Sequence, residues 1–252
     1  MLIFSNSLAG AHHMQSFIIH MSASTSRRAN VDLLLEVLPN AQVVEAVNGH
    51  DPIQIADVKT HPGTLHTPRY PFALTPPEIG IFQSHRACWQ RIVDDGLEMA
   101  LIVEDDLSTD PEGFETVLKF VQDHATEDSF VRFPIKTRER AAQVIASQGE
   151  HQLILPRGVG LQCTCQLVGR KAAERLLLAS NEIDRPVDSL IQLPWATGQV
   201  IHCVLPSGAR EVSGQIGGST IQRKIPLRQK AGREFKRLVY RMGLKLRSQR
   251  AT

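Results

Sequence analysis

Glu104, Asp105 and Asp106 stand directly after the apolar run Met99-Ala-Leu-Ile-Val103. Three adjacent carboxylates repel one another and need a cation or a donor-rich partner to stay ionised together. Oxygen-rich sites of this kind suit magnesium or manganese, held by one or two carboxylates while phosphate oxygens complete the shell. Because neighbouring side chains on a strand diverge, Glu104 and Asp106 can point one way and Asp105 the other. The competing reading is an acidic turn that caps a helix starting near Asp110. Arg27-Arg28 is the second candidate pair. Guanidinium groups grip phosphate in forked geometry, whereas a basic pair at a helix N-terminus is disfavoured by the helix dipole.

The elements that position these residues can be read from pattern. Thr75 with Glu78 forms a capping box, and Pro76 suits the first helical position. Ile81, His85, Cys88, Trp89 and Ile92 then recur at helical spacing, so His85 reads first as a packed imidazole. Gly96 supplies a left-handed stop. The run Met99–Val103 has the continuous apolarity of a strand covered on both faces, and the carboxyl end of such a strand faces the ligand crevice of an open α/β sheet. Upstream, Phe17–His20 reads as a strand and Ser22–Arg28 as a polar loop. A helix carrying Val31, Leu34, Leu35 and Leu38 follows, capped by Asn30 or an earlier serine and closed by Pro39. Gln42–Val47 reads as the next strand, with Asn48-Gly49 as a turn. Asp51–Pro71 reads as a surface loop. Beyond the acids, Asp110-Pro111 opens a helix, Ser129–Phe133 is strand-like, and Thr137–Gln148 reads as a short helix or mobile loop. His151–Leu155, Leu161–Val168 and Gln199–Leu205 are strand candidates, and Lys171–Ala179 is a helix. This alternation predicts one α/β domain with a mostly parallel, Rossmann-type sheet flanked by helices.

The blocks LTPPEIGIFQSH and LIVEDD resemble the LT-x-x-EIG-x-x-x-SH and LEDD pair of glycosyltransferase family 25, the lipooligosaccharide and related sugar transferases. That resemblance implies a GT-A fold and an inverting, metal-dependent transfer from a nucleotide-sugar, with UDP-galactose as the expected donor. The acceptor it implies is a hydroxyl of a saccharide or glycolipid such as lipopolysaccharide. It assigns Glu104, Asp105 and Asp106 to a divalent metal, Mn2+ or Mg2+, and places Ser84 and His85 beside the donor site, with a catalytic part for His85. Arg27 and Arg28 match the family's strand-then-RR opening, which implies a diphosphate contact. Ala46-Val47-Asn48-Gly49 matches its A-V-D-G block with Asn in place of the acid, so Asn48 and Gly49 fall at the donor. Thr164, in Gln162-Cys-Thr-Cys-Gln-Leu-Val168, falls at the G-T-x-A-Y strand, where cysteine and glutamine replace glycine and tyrosine. Asp188, in Pro186-Val187-Asp188, matches P-V-D. It could deprotonate the attacking hydroxyl, cap the helix after it, or hydrogen-bond the donor. Ser219-Thr220-Ile221 fits the family's closing S-x-I. The blocks run in family order from Phe17 to Ile221.

The totals bound the remaining choices. Hydrophobic residues at 42% and charged residues at 21% are those of a globular protein, and no apolar run reaches the roughly 18 residues of a membrane span. Met1–Ala11 lacks a signal-peptide core, so a cytoplasmic location is expected. Residues 1–15 read as a flexible extension, with Met14 as an alternative start, 16–222 as the transferase domain and 223–252 as a basic tail. The four cysteines show no CxxC or zinc spacing and are expected as reduced thiols. Arg223–Arg250 holds eleven Lys or Arg and one acid, leaving seventeen bases against twenty-five acids elsewhere. Within the tail, Phe235, Leu238, Val239, Met242 and Leu246 share a helical face ringed by Lys236, Arg237, Arg241, Lys245 and Arg247. Such a helix suits the anionic face of the cytoplasmic membrane, and its alternative is packing on the acidic body. A nucleic-acid role through the tail is disfavoured by that acidic body and by 5% aromatic content. A family member that binds nucleotide or saccharide without turnover is the other alternative.

Overall fold

A computed structural model describes residues 14–214 and 227–247, the side chains of 227–231 excepted. The closing Ser219-Thr220-Ile221 block and most of the expected N-terminal extension lie outside the described residues. The chain forms β1 (Gln15–His20), α1 (Arg28–Val37), β2 (Ala41–Glu45), α2 (Pro76–Asp94), β3 (Met99–Glu104) and β4 (Leu107–Thr109). It continues through α3 (Pro111–Gln122), β5 (Phe130–Arg132), β6 (Ala141–Gln148), β7 (His151–Pro156), β8 (Cys165–Gly169) and α4 (Arg170–Ala179). The last elements are α5 (Val187–Leu190), α6 (Pro194–Thr197), β9 (His202–Leu205), β10 (Ala209–Glu211) and α7 (Leu227–Lys245). Gln15 and the buried Met14 thus belong to the fold and not to an extension.

The expected α/β architecture is present as one eight-stranded sheet in the order β2-β1-β3-β8-β5-β9-β7-β6. The part built from β2, β1 and β3 is parallel, and β5 pairs parallel with β9. The pairings of β8 and β7 with their neighbours are antiparallel, so the sheet as a whole is mixed. Helices cover both faces. Ala100 and Ile102 of β3 face one core with Phe17, Phe82, Trp89 and Leu176, while Leu101 and Val103 face the other with Ile18, Val31, Leu34, Phe114 and Val117. That double burial is why β3 reads as an unbroken apolar run.

Two stretches depart from the sequence reading. Residues 141–148 are a strand, not a helix or loop, joined to β7 in a hairpin that turns at Gly149 (φ 58°). As an edge strand with register shifts it buries little, so no apolar alternation marks it. The small ribbon of β4 with β10 is the other departure, and through it Val212 N–H donates to the Asp106 carbonyl at 3.0 Å. The capping box of Thr75 and Glu78 and the left-handed Gly96 (φ 62°) are as expected. All four cysteines are free and buried.

The first turn of α2 crosses the loop after β2 at backbone contact. A Cβ on Gly80 would lie 2.6 Å from both Gly49 N and Val47 O, and one on Gly49 would lie 1.9 Å from Pro76 O. Gly80→Ala, which in an open helix would stabilise, is therefore expected to cost about 1–3 kcal/mol here. Urea denaturation tests this, and an unchanged midpoint would refute so tight a crossing.

Candidate active site

Strand parity sorts the three acids. Glu104 continues the face of Ile102, towards α2, where its carboxylate meets His85 Nε2 at 3.3 Å and Thr164 Oγ1 at 3.4 Å. Asp105 continues the face of Val103, towards α1. Because Ile19 pairs with Glu104 across the parallel ladder, His20 at the end of β1 sits beside Asp105, and its Nδ1 donates to that carboxylate at 2.8 Å. The Arg27 guanidinium bonds the other Asp105 oxygen and lies 3.6 Å from Asp106. Asn30 clamps the turn, its amide donating to the carbonyls of Asp105 and Leu107 at 2.9 and 2.8 Å, rather than capping α1.

The expectation of three metal-directed carboxylates is corrected accordingly, since Asp105 is engaged by His20 and Arg27. Among the described residues no three His, Cys, Asp or Glu side chains form a ready cage. Glu104 and Asp106 are the acids left for an ion. Asp106 Oδ1 is buried without a hydrogen-bond partner, and burial followed by the nearby Glu104 charge pushes the Asp106 carboxyl up to about 7. An orphaned carboxylate oxygen beside a second, partly exposed carboxylate fits a hard divalent cation whose remaining ligands are phosphate or water.

His85 is fully buried. Its Nδ1 accepts from Gln166 at 2.8 Å, which leaves Nε2–H to donate to Glu104, so it positions that carboxylate and is not placed to reach substrate. Ser84 is likewise architectural, accepting from Val47 N–H at 2.8 Å and donating to Gly80 O at 2.9 Å. The Asn48 carboxamide oxygen accepts from His50 N–H at 3.0 Å, and Gly49 serves the α2 crossing. Arg28 departs from expectation. It lies on the exposed side of α1, paired with Asp32 one turn on at 2.6 Å, away from the acids. Thr164 sits at the Glu104 carboxylate, as above.

Asp188 lies in the first turn of α5, accepting from the Gln162 N–H and the Ser189 hydroxyl, both at 3.3 Å. Burial raises its pKa. Gln162 holds a left-handed conformation (φ 83°), unusual for a side-chain-bearing residue. Its loop is anchored by buried Arg132, which donates to Leu161 O at 2.6 Å and Gln162 O at 3.0 Å and pairs with Glu139 at 3.0 Å. A cleft of about 320 Å³ lined by Arg132, Lys136, Arg138, Gly160 and Gln162 adjoins this segment. The sequence reading missed His20, Arg132 and Gln166. Only strand pairing reveals the first, and buried polar residues in short strands carry no local signal.

The family model for glycosyltransferase family 25 (LPS biosynthesis protein) matches residues 13–191. The chain belongs to this family. Its sheet, flanked by helices and with the acids at the carboxyl end of β3, has the α/β class expected for a family member. Mouse "Inactive glycosyltransferase 25 family member 3" (Mus musculus) is 34% identical over 97 residues, covering 36% of this chain and 16% of the mouse protein. The chain therefore spans a small part of that relative's length. The crystal structure of mannose-1-phosphate geranyltransferase from Thermus thermophilus aligns over 80% of this chain and 75% of that one, with 12% identity and a TM-score of 0.38. So loose a likeness has no bearing on the chemistry.

The Asp106 geometry has a pH signature. Folded Asp106 holds its proton to about 7 against 3.8 in the unfolded chain, so folding takes up a proton and the group lowers stability as pH rises through that window. Asp106→Asn should raise the melting temperature at pH 8, by about 2–4 °C for each kcal/mol relieved, with the gain gone at pH 4. A variant that gains nothing at pH 8 would contradict the burial and crowding of Asp106.

Proposed function

We propose that this glycosyltransferase transfers a sugar, with galactose the leading candidate, from a nucleotide-sugar to a hydroxyl of a saccharide or glycolipid of the lipopolysaccharide type, with inversion. The observation that carries the reading is the convergence of Glu104 and Asp188 on one segment, Glu104 through Thr164 and Asp188 through Gln162. A divalent ion, Mn2+ or Mg2+, would be held by Glu104 and Asp106 and would neutralise the diphosphate as it departs.

The chain's own residues supply the rest. Arg27 and His20 hold Asp105 and fix the acid turn, and His85 orients Glu104. Asp188, with its pKa raised by burial, takes the proton of the acceptor hydroxyl as its oxygen bonds to the anomeric carbon. The bond from that carbon to the nucleotide's phosphate oxygen breaks in the same displacement, and the nucleoside diphosphate leaves. Transfer to a lipid-linked acceptor would take place at the inner face of the cytoplasmic membrane.

The test is a panel of nucleotide-sugars with Mn2+ and saccharide acceptors. One donor should be consumed, and Asp188→Asn should lower kcat by about 10²–10⁴-fold while donor binding persists. If no donor is consumed or bound, the transferase reading fails. Donor binding without transfer to any acceptor would favour the second reading, a member that binds without turnover, to which the altered Gln162–Val168 segment lends support.

A further inference from the structure

Helix α7 meets the body with the side opposite to its apolar stripe. Tyr240 is buried, its ring edge-on to Tyr70 with centroids 5.5 Å apart and its hydroxyl accepting from Arg185 at 3.4 Å. Arg233 lies over the Phe72 ring at 4.7 Å. Gly243 packs against Pro68, so closely that a Cβ there would come within 2.7 Å. Arg185 is itself buried, paired with Asp184 and donating to the carbonyls of His66 and Pro68. The alternative of a tail packed on the body is thus half fulfilled: the helix docks, but through a mostly polar face.

The docked face leaves Phe235, Leu238, Val239, Met242 and Leu246 turned outward, between 54 and 79% exposed. At 3.6 residues per turn these five lie within one arc opposite Tyr240. The comparable stripe of α3, with Phe114, Val117, Leu118 and Val121, is buried in the core. Exposed Lys236, Arg241, Lys245 and Arg247 border the α7 stripe, whereas Arg237 turns to the body over the Phe72 ring at 5.8 Å, and Glu234 is the sole acid from Leu227 to Lys245.

We propose that α7 lies flat on an anionic lipid surface, its outward stripe seated at the headgroup boundary and its flanking bases against the lipid phosphates. An apolar arc bordered by bases has the amphipathy of a helix that rests in an interface, and among the described residues no helix is long and apolar enough to cross one. A second copy is the poorer occupant, because pairing two such helices brings like charges together. Arg185, which holds Tyr240, lies three residues before Asp188 in the chain, so the docked helix is tied to the segment that carries Asp188. The inference rests on the transferase reading only for why the surface matters, namely a lipid-linked acceptor.

The experiment is co-sedimentation of the full chain with vesicles of equal phosphatidylglycerol and phosphatidylcholine, and with phosphatidylcholine alone. Binding should be at least ~10-fold tighter to the anionic vesicles, each base near the surface adding to it. The double variant Leu238→Gln/Met242→Gln keeps every charge and alters only exposed positions. It should bind at least ~10-fold more weakly with an unchanged melting temperature, since the buried apolar area is lost. No binding to anionic vesicles, or binding that the double variant retains, would overturn the proposal. So would a dimer in sedimentation equilibrium that the variant dissolves, or duplex DNA displacing the vesicles. Vesicle binding is scored without sugar transfer, so its failure and the failure of the transferase reading are separate results.

Discussion

The pairing of Asp105 with His20 and Arg27 is the constraint on which the site depends. Three successive carboxylates at the end of a buried strand could not all remain charged and unpartnered. The fold resolves this by parity. One acid turns to the α1 face and meets two nitrogen donors. The partners come from β1 and the loop after it, so the parallel pairing of β1 with β3 is as much a part of the site as the acids are. With Asp105 held by these two partners, Glu104 and Asp106 still crowd each other, and the Glu104 charge adds to burial in raising the Asp106 pKa.

Around this centre the residues of the recurring blocks divide into two kinds. Gly49, Gly80 and Ser84 lock the loop after β2 to α2. His85 and Gln166 form a buried relay that orients Glu104. The candidates for chemistry are fewer: Glu104, Asp106, Thr164 and Asp188, with strained Gln162 bringing its N–H to the last of them. Most of what marks such blocks in a sequence is therefore the packing that brings helix, loop and strand to one place.

How much was legible follows from the same distinction. Helix α2 with its capping box, the doubly covered β3 and the α/β alternation are local patterns, and the sequence carries them openly. The divergence of Glu104 from Asp105 was also readable, because period 2 is a property of any strand. What was hidden needs tertiary register. His20 becomes a partner only once Ile19 is set against Glu104, and Arg28 leaves the site because α1 starts at that residue and turns it outward. Strand β6 escaped notice for the opposite reason, since an exposed edge buries too little to impose a pattern. In α7 the amphipathy was plain, but not that the apolar side would be the one left uncovered.

A crystal structure with UDP and Mn2+ bound is the most direct test of the division of labour among the three acids. The account predicts the ion on Glu104 and Asp106, with Asp105 still bonded to His20 and Arg27. An ion ligated by Asp105, with that pairing broken, would contradict it.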